Sequence, residues 1–301
     1  MNDEKIEAWQ NKIIDTFIGK SGLSGERVLG LETHEETFIS PEIISNLKGF
    51  FYIMDAFLDF LIETSETFSK ETIISWSKNG PLFFCIQRLS FWRLRASYII
   101  FRKGYYIDAV SLLRGIYENV LLIEALKRGV IEVDEVFGRL KVEDSKNLPE
   151  KQINYLIKKF NNETNSRIKN YFIGQNSKMS EKSIKLLKSM ERTMHNSVHK
   201  SRLTFFYYYG DWLKGEKDLP IFPKYDEKLA TTYTNICIFI SWMFLKTIPH
   251  FLLKVEDFGK DWKHKFKVLD ESLREMIKNF PKPLGKAIIE LVDLKFTVNN
   301  L

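Results

Sequence analysis

The stretch Glu191-Arg192-Thr193-Met194-His195-Asn196-Ser197-Val198-His199 holds four residues whose types and spacing could do chemistry together. At about 100° per residue, Arg192, His195, Asn196 and His199 fall within about a 100° arc of one helix. A single face would present a guanidinium, two imidazoles and a carboxamide. That set fits RNA cleavage without a metal. A neutral imidazole can take the proton of a ribose 2′-hydroxyl near working pH. The planar arginine fork suits a phosphate and the charge that grows on it in the transition state. Two other readings stay open. His195 and His199 could share a zinc ion at i,i+4 spacing, although no Glu follows the first His and no third ligand is evident. They could also be ordinary polar residues satisfied by their neighbours. The preferred reading has no metal and no cofactor.

Two further groups of residues could extend such a site. In Ser111-Leu112-Leu113-Arg114-Gly115-Ile116-Tyr117-Glu118-Asn119, Arg114 and Glu118 stand four apart in a stretch that is otherwise apolar nearly all round. Charges in such a helix must be paired or face a site. The pair either fixes helix packing or lines the same pocket as the 192–199 face, with Tyr117 beside it. A stripe of Arg88, Trp92, Arg95, Ile99 and Arg102 mixes guanidinium groups with aromatic surface, a combination that holds phosphates and stacks bases. Arg88, Arg95, Arg102 and also Lys188 are candidate RNA contacts. A solvated arginine stripe with a half-buried Trp92 is the plainer alternative. Tyr207-Tyr208-Tyr209 could stack bases or simply pack.

The elements that must position these residues read as helices throughout. Ile6, Trp9, Ile13 and Phe17 recur at helical spacing, so an amphipathic helix is expected over 3–19, followed by a Gly-containing loop over 20–40. Ser40-Pro41 opens a Phe-, Ile- and Leu-rich helix to about Glu63. After the break at Asn79-Gly80-Pro81, one long helix runs to about Lys103. A second runs from about Tyr106 to Arg128. Gly104 and Gly129 close them, and so tight a link implies an antiparallel hairpin. A short helix could occupy 131–140, and Pro149 opens a Lys- and Asn-rich helix that weakens near Gly174. The motif helix begins at Ser180-Glu181 and extends to about Arg202. A Gly- and Pro-rich loop covers 210–225, the most apolar helix runs from Asp226 to Leu253, and a loop over 254–265 leads to one or two short helices. The Phe205–Tyr209 run is the one weak strand signal.

Composition agrees with this. The chain of 301 residues is 44% hydrophobic and 28% charged, which is globular rather than disordered, and has 24 Phe against 8 Pro and 15 Gly. The acidic start lacks the form of a secretion signal, and the apolar run Ile236–Leu245 is half the length of a membrane span. Cys85 and Cys237 lie among apolar residues without paired spacing, so both are expected to be core thiols. No membrane association and a cytoplasmic location are expected. The net charge of +6 divides unevenly, at −4 over 1–140, +8 over 141–217 and +2 over 218–301. The motif thus sits in the most basic segment, which suits an anionic partner such as RNA.

Two of these motifs resemble a family. Arg192 and His199, separated by six residues, fit the Arg-x4–6-His pattern of the HEPN superfamily, and Leu112-Leu113-Arg114-Gly115-Ile116-Tyr117-Glu118 looks like the LLR-x-x-aromatic-E helix of uncharacterised bacterial HEPN-like families. The resemblance spans roughly 80–255. It implies an all-α bundle with a HEPN-like core of four to five helices and additional N- and C-terminal helices. On that basis 1–75 is an N-terminal helical extension, 76–255 the bundle, and 256–301 C-terminal helices packed on it. It further implies a homodimer with paired motif helices, Arg192 and His199 as catalytic residues, and a metal-independent endoribonuclease acting as a toxin or antiphage-defence effector, with an antitoxin or defence-system partner. Some members bind without catalysis, so a helical module that binds RNA, nucleotide or a partner protein is the alternative.

Overall fold

In the computed structural model the described residues are 32–66, 80–133, 149–174, 178–198, 225–251 and 259–296. The chain's central turn is made at Gly104. Its φ of 87° is open to glycine at little strain, and it lets Gly104 N–H reach Phe101 O while Tyr105 N–H reaches Ile100 O. This closes helix α3 (Gly80–Arg102) and sends helix α4 (Tyr106–Lys127) back along it. Gly129, with φ 64°, ends α4 by the same pair of bonds, to Leu126 O and Ala125 O. The hairpin register is fixed by Ser97 Oγ donating to Ala109 O and by Asn119 Nδ2 donating to Ser90 Oγ.

The rest of the bundle packs around α4. Ahead of the hairpin lie a π-helical turn (Glu35–Ile39), α1 (Ser40–Asn46) and α2 (Lys48–Glu66). The single helix expected from Pro41 breaks at Leu47, whose φ and ψ are −121° and 30°. Asn46 turns its side chain back onto Glu42 O there, the local competition that makes Asn a weak helix former, and Gly49 follows. Pro149 leads into α5 (Glu150–Ile173), and the motif helix is α6 (Glu181–Val198). Helix α7 (Glu227–Thr247) starts where Asp226 Oδ1 accepts from Leu229 N–H and gives way to a 3-10 turn over Ile248–Phe251. Pro249, with no N–H to donate, suits that change. Helices α8 (Lys260–Lys278) and α9 (Lys282–Lys295) complete the chain. Residues 260–265, expected as loop, are the first turns of α8.

Helix α7 is the axis of the core, with Phe239, Ile240 and Trp242 through Leu245 fully buried. It lies between α4 and α8. Phe101 stacks on Tyr233 at 3.9 Å, and Phe50 meets both rings edge-on. Trp242 Nε1 and Lys246 Nζ both bond Asp270 of α8, and Trp262 Nε1 donates to Thr64 of α2. Glu290 of α9 accepts from Ser183 Oγ and Ser180 N–H, which tethers the start of α6. One buried cluster runs from Ile39 to Phe296.

The architecture is an all-α helical bundle, with no strand among the described residues. None of the described helices is long and apolar enough to cross a membrane. Cys237 is buried beside Met54, but Cys85 is exposed, because the first turns of α3 turn it outward. The expected helices over 3–19 and 131–140, the tyrosine run, the strand-like segment and the 210–225 loop lie outside the described residues, except where their edges reach 131–133 and Tyr225.

Candidate functional site

Most of α4 is enclosed by α3, α6 and α7, and its open strip runs through Asp108, Ser111, Arg114, Gly115, Glu118 and Leu122. These positions recur at helical spacing on one side of the axis. Helix α3 borders the strip on one flank, where Arg93 lies against Gly115. Helix α6 borders it on the other, where His195 meets Arg114. A groove floored by α4 therefore has a basic residue from each wall.

Arg114 is the centre of this arrangement. Its side chain is 18% exposed, whereas that of Glu118 is 44% exposed. Nε and Nη2 of Arg114 both donate to Glu118 Oε1 at 2.9 Å. Its Nη1 makes a close bond to Nδ1 of His195. A guanidinium has only donors, so Nδ1 must accept and the imidazole hydrogen lies on Nε2. This contact spans 81 residues of sequence and joins the two motifs that the sequence had placed on separate helices.

Arg192 stands one turn before His195 and is exposed, as is Lys188 one turn earlier. Among the described residues Arg192 has no carboxylate partner. Asn196 is half-buried, and Glu191 is bound by Lys169 of α5 at 2.5 Å. His199 lies outside the described residues. Tyr117 faces the core, 2% exposed, with its ring 6.2 Å from that of Phe239. Burial first, then the charges of Glu191 and Glu118, push its hydroxyl well above the usual tyrosine range.

The α3 stripe faces solvent on the side turned away from α4. Arg88, Arg95 and Arg102 are exposed, and Trp92 is 56% exposed with the Arg88 guanidinium 5.2 Å from its ring. Arg102 lies over Tyr98 at 6.0 Å. These residues are thus separate from the Arg114–His195 groove. Sequence reasoning missed Arg93, which reaches the groove. The signal for it was Gly115, a glycine in the middle of a long apolar helix, which often marks close approach by a neighbour.

Among the described residues, no three His, Cys, Asp or Glu side chains gather closely enough to hold a metal ion. No protein-family model matches this chain, and neither curated proteins nor solved structures give a significant match.

Proposed function

We propose that the protein is a HEPN-like, metal-independent endoribonuclease whose site is the groove between α3, α4 and α6, working as a toxin or antiphage-defence effector. The observation that carries this reading is Arg114, which reaches from an apolar helix to His195 on the motif helix while holding Glu118. The contact brings together, on one open strip, the two motifs whose residue types suit phosphate chemistry.

In this scheme Arg192, exposed at the groove edge, binds the scissile phosphate. His199 takes the proton of the 2′-hydroxyl, and the freed oxygen attacks phosphorus. The bond to the 5′-oxygen breaks, that oxygen takes a proton from water, and the products are a 2′,3′-cyclic phosphate and a 5′-hydroxyl. His195 has its Nδ1 lone pair engaged by Arg114 and presents an N–H, so it serves as a donor to a phosphate oxygen and leaves the base role to His199. Asn196 positions the phosphate. A homodimer with the motif helices paired, held in check by a partner protein, belongs to the same proposal.

A second reading is favoured by the same contact. With His195 already satisfied, the groove could bind RNA as a non-catalytic module. The two separate in one experiment. Wild type and an Arg192→Ala, His199→Ala variant are incubated with total RNA in EDTA, and fragments are tested for cyclic-phosphate ends. Chelator-resistant cleavage that the variant lacks supports the enzyme. RNA left intact by pure wild type with and without added metal ions defeats it, and retention of intact RNA then supports the module.

A further inference from the structure

Beside the Arg114–His195 contact, α3 places a second guanidinium in the same groove. A Cβ at position 115 would lie 2.5 Å from Nη1 of Arg93, 3.0 Å from its Cζ and 3.3 Å from its Cδ. The Arg93 side chain therefore occupies the space that any other residue at 115 would fill. Its place is dictated by the hairpin register. Ser90 is tied to Asn119 one turn to one side, and Ser97 to the Ala109 carbonyl one turn to the other, so Arg93 must face Gly115.

Among the described residues this charge has no carboxylate partner. Arg93 is half-buried, and among the described residues no acceptor meets its guanidinium. The nearest acid along the strip, Glu118, is committed to Arg114. The whole of α3, from Gly80 to Arg102, contains no Asp or Glu. Glycine in a helix interior lowers helix stability, so the residue at 115 runs against local helix preference. A half-buried guanidinium with spare donors is well placed to take an anion from outside.

We propose that Arg93 binds a backbone phosphate of RNA in this groove, next to the one held by Arg192, and that Gly115 exists to seat it. This rests on the RNA reading above and adds to it a residue and a cradle. With Arg93 and Arg114 on the strip beside Glu118 and Arg192 exposed on the neighbouring helix, the groove takes a polyanionic strand rather than a lone neutral ligand.

The test uses the full chain and a single-stranded oligonucleotide carrying 2′-O-methyl groups, which lacks the attacking hydroxyl. Binding is read by fluorescence anisotropy over a range of salt concentrations for wild type, Arg93→Gln, Gly115→Ala and the double variant. Thermal melts of each report folding. Gly115→Ala meets only the far end of a flexible side chain and improves helix propensity, so its melting temperature is expected to hold or rise. Both single variants are expected to weaken binding by about tenfold and to reduce the salt slope by about one. The double variant should be no weaker than Arg93→Gln, since both changes remove one interaction. Wild-type affinity and slope in folded Arg93→Gln overturn the proposal and leave the nuclease reading intact. Loss of binding in Arg93→Gln, with a wild type that binds but never cleaves unmodified RNA, supports Arg93 while ending the nuclease reading. A wild type that does not bind the oligonucleotide at all overturns the assignment.

Discussion

Helix α4 carries two arginine–glutamate pairs at i,i+4, and they are built in opposite senses. In Glu124–Arg128 the acid comes first and is fully buried, while the arginine is 31% exposed. Arg128 sits at the C-terminus of the helix, where a cation is favoured, and also donates to Lys295 O at the end of α9. Burial, helped by the Arg128 charge, holds Lys295 below the ordinary lysine range. This end of α4 is a staple between two helices around one buried carboxylate. In Arg114–Glu118 the order is reversed, the cation is the enclosed member, and its carboxylate stands in water. The remaining arm of the arginine goes to another helix's histidine. A buried acid with a solvated partner holds structure together. The enclosed cation of Arg114–Glu118 instead reaches a neighbouring helix, the feature on which the proposed function rests.

That contrast is sharpest in stability. Arg128→Ala leaves the Glu124 carboxylate buried without its guanidinium partner, and the expected loss is about 3 kcal/mol in urea denaturation. RNA cleavage per folded molecule should be unchanged. A loss below about 1 kcal/mol would place the two pairs on the same footing. Arg114→Ala leaves Glu118 hydrated, so its stability change should stay under about 1 kcal/mol. On the proposed nuclease function its cleavage rate should fall about a hundredfold, because His195, the phosphate donor that Arg114 holds, is no longer fixed. The reverse pattern, a large stability loss with full activity, would make Arg114 another staple.

The opposite end of α4 supplies a third term. Burial, with the Glu35 hydrogen bond, raises Tyr105 to about 12, and burial alone is the main cause that raises Tyr106 to about 12. Unfolded tyrosines ionise near pH 10, so between about pH 10 and 12 only the unfolded chain loses these protons. Stability contributed by the neutral hydroxyls is fully present below pH 10 and is lost as pH rises through 12. Urea midpoints should therefore be level from pH 8 to 10 and fall from 10 to 12. Tyr106→Phe should flatten that fall and Arg114→Ala should leave it as it is. The smallest effect concerns the outer face of α3. Arg88→Ala or Arg95→Ala should lower the salt slope of RNA binding by about one without altering cleavage of bound RNA. An unchanged slope would make that stripe ordinary solvated surface.

Much of the fold was legible because it is written locally. Gly104 and Gly129 punctuate α3 and α4 where their left-handed backbone is needed, and Pro149 marks the start of α5. The break at Leu47 was missed although its signals are local, Asn46 bonding back to Glu42 O and Gly49 following, because the apolar pattern runs on through both. Tyr117 read as a site residue because it lies between Arg114 and Glu118 in sequence. One helical step turns it into the core.

The sequence by itself determined that the described residues are helical, where the main hairpin turns, and that Arg192, His195 and Asn196 share a helix face. These follow from periodicity and from glycine and proline stereochemistry, which act over a few residues. The meeting of Arg114 with His195, the seating of Arg93 on Gly115 and the outward turn of Trp92 were decided only by tertiary structure. Each depends on how one helix is rotated against another, which the burial of the whole core sets and no single segment encodes.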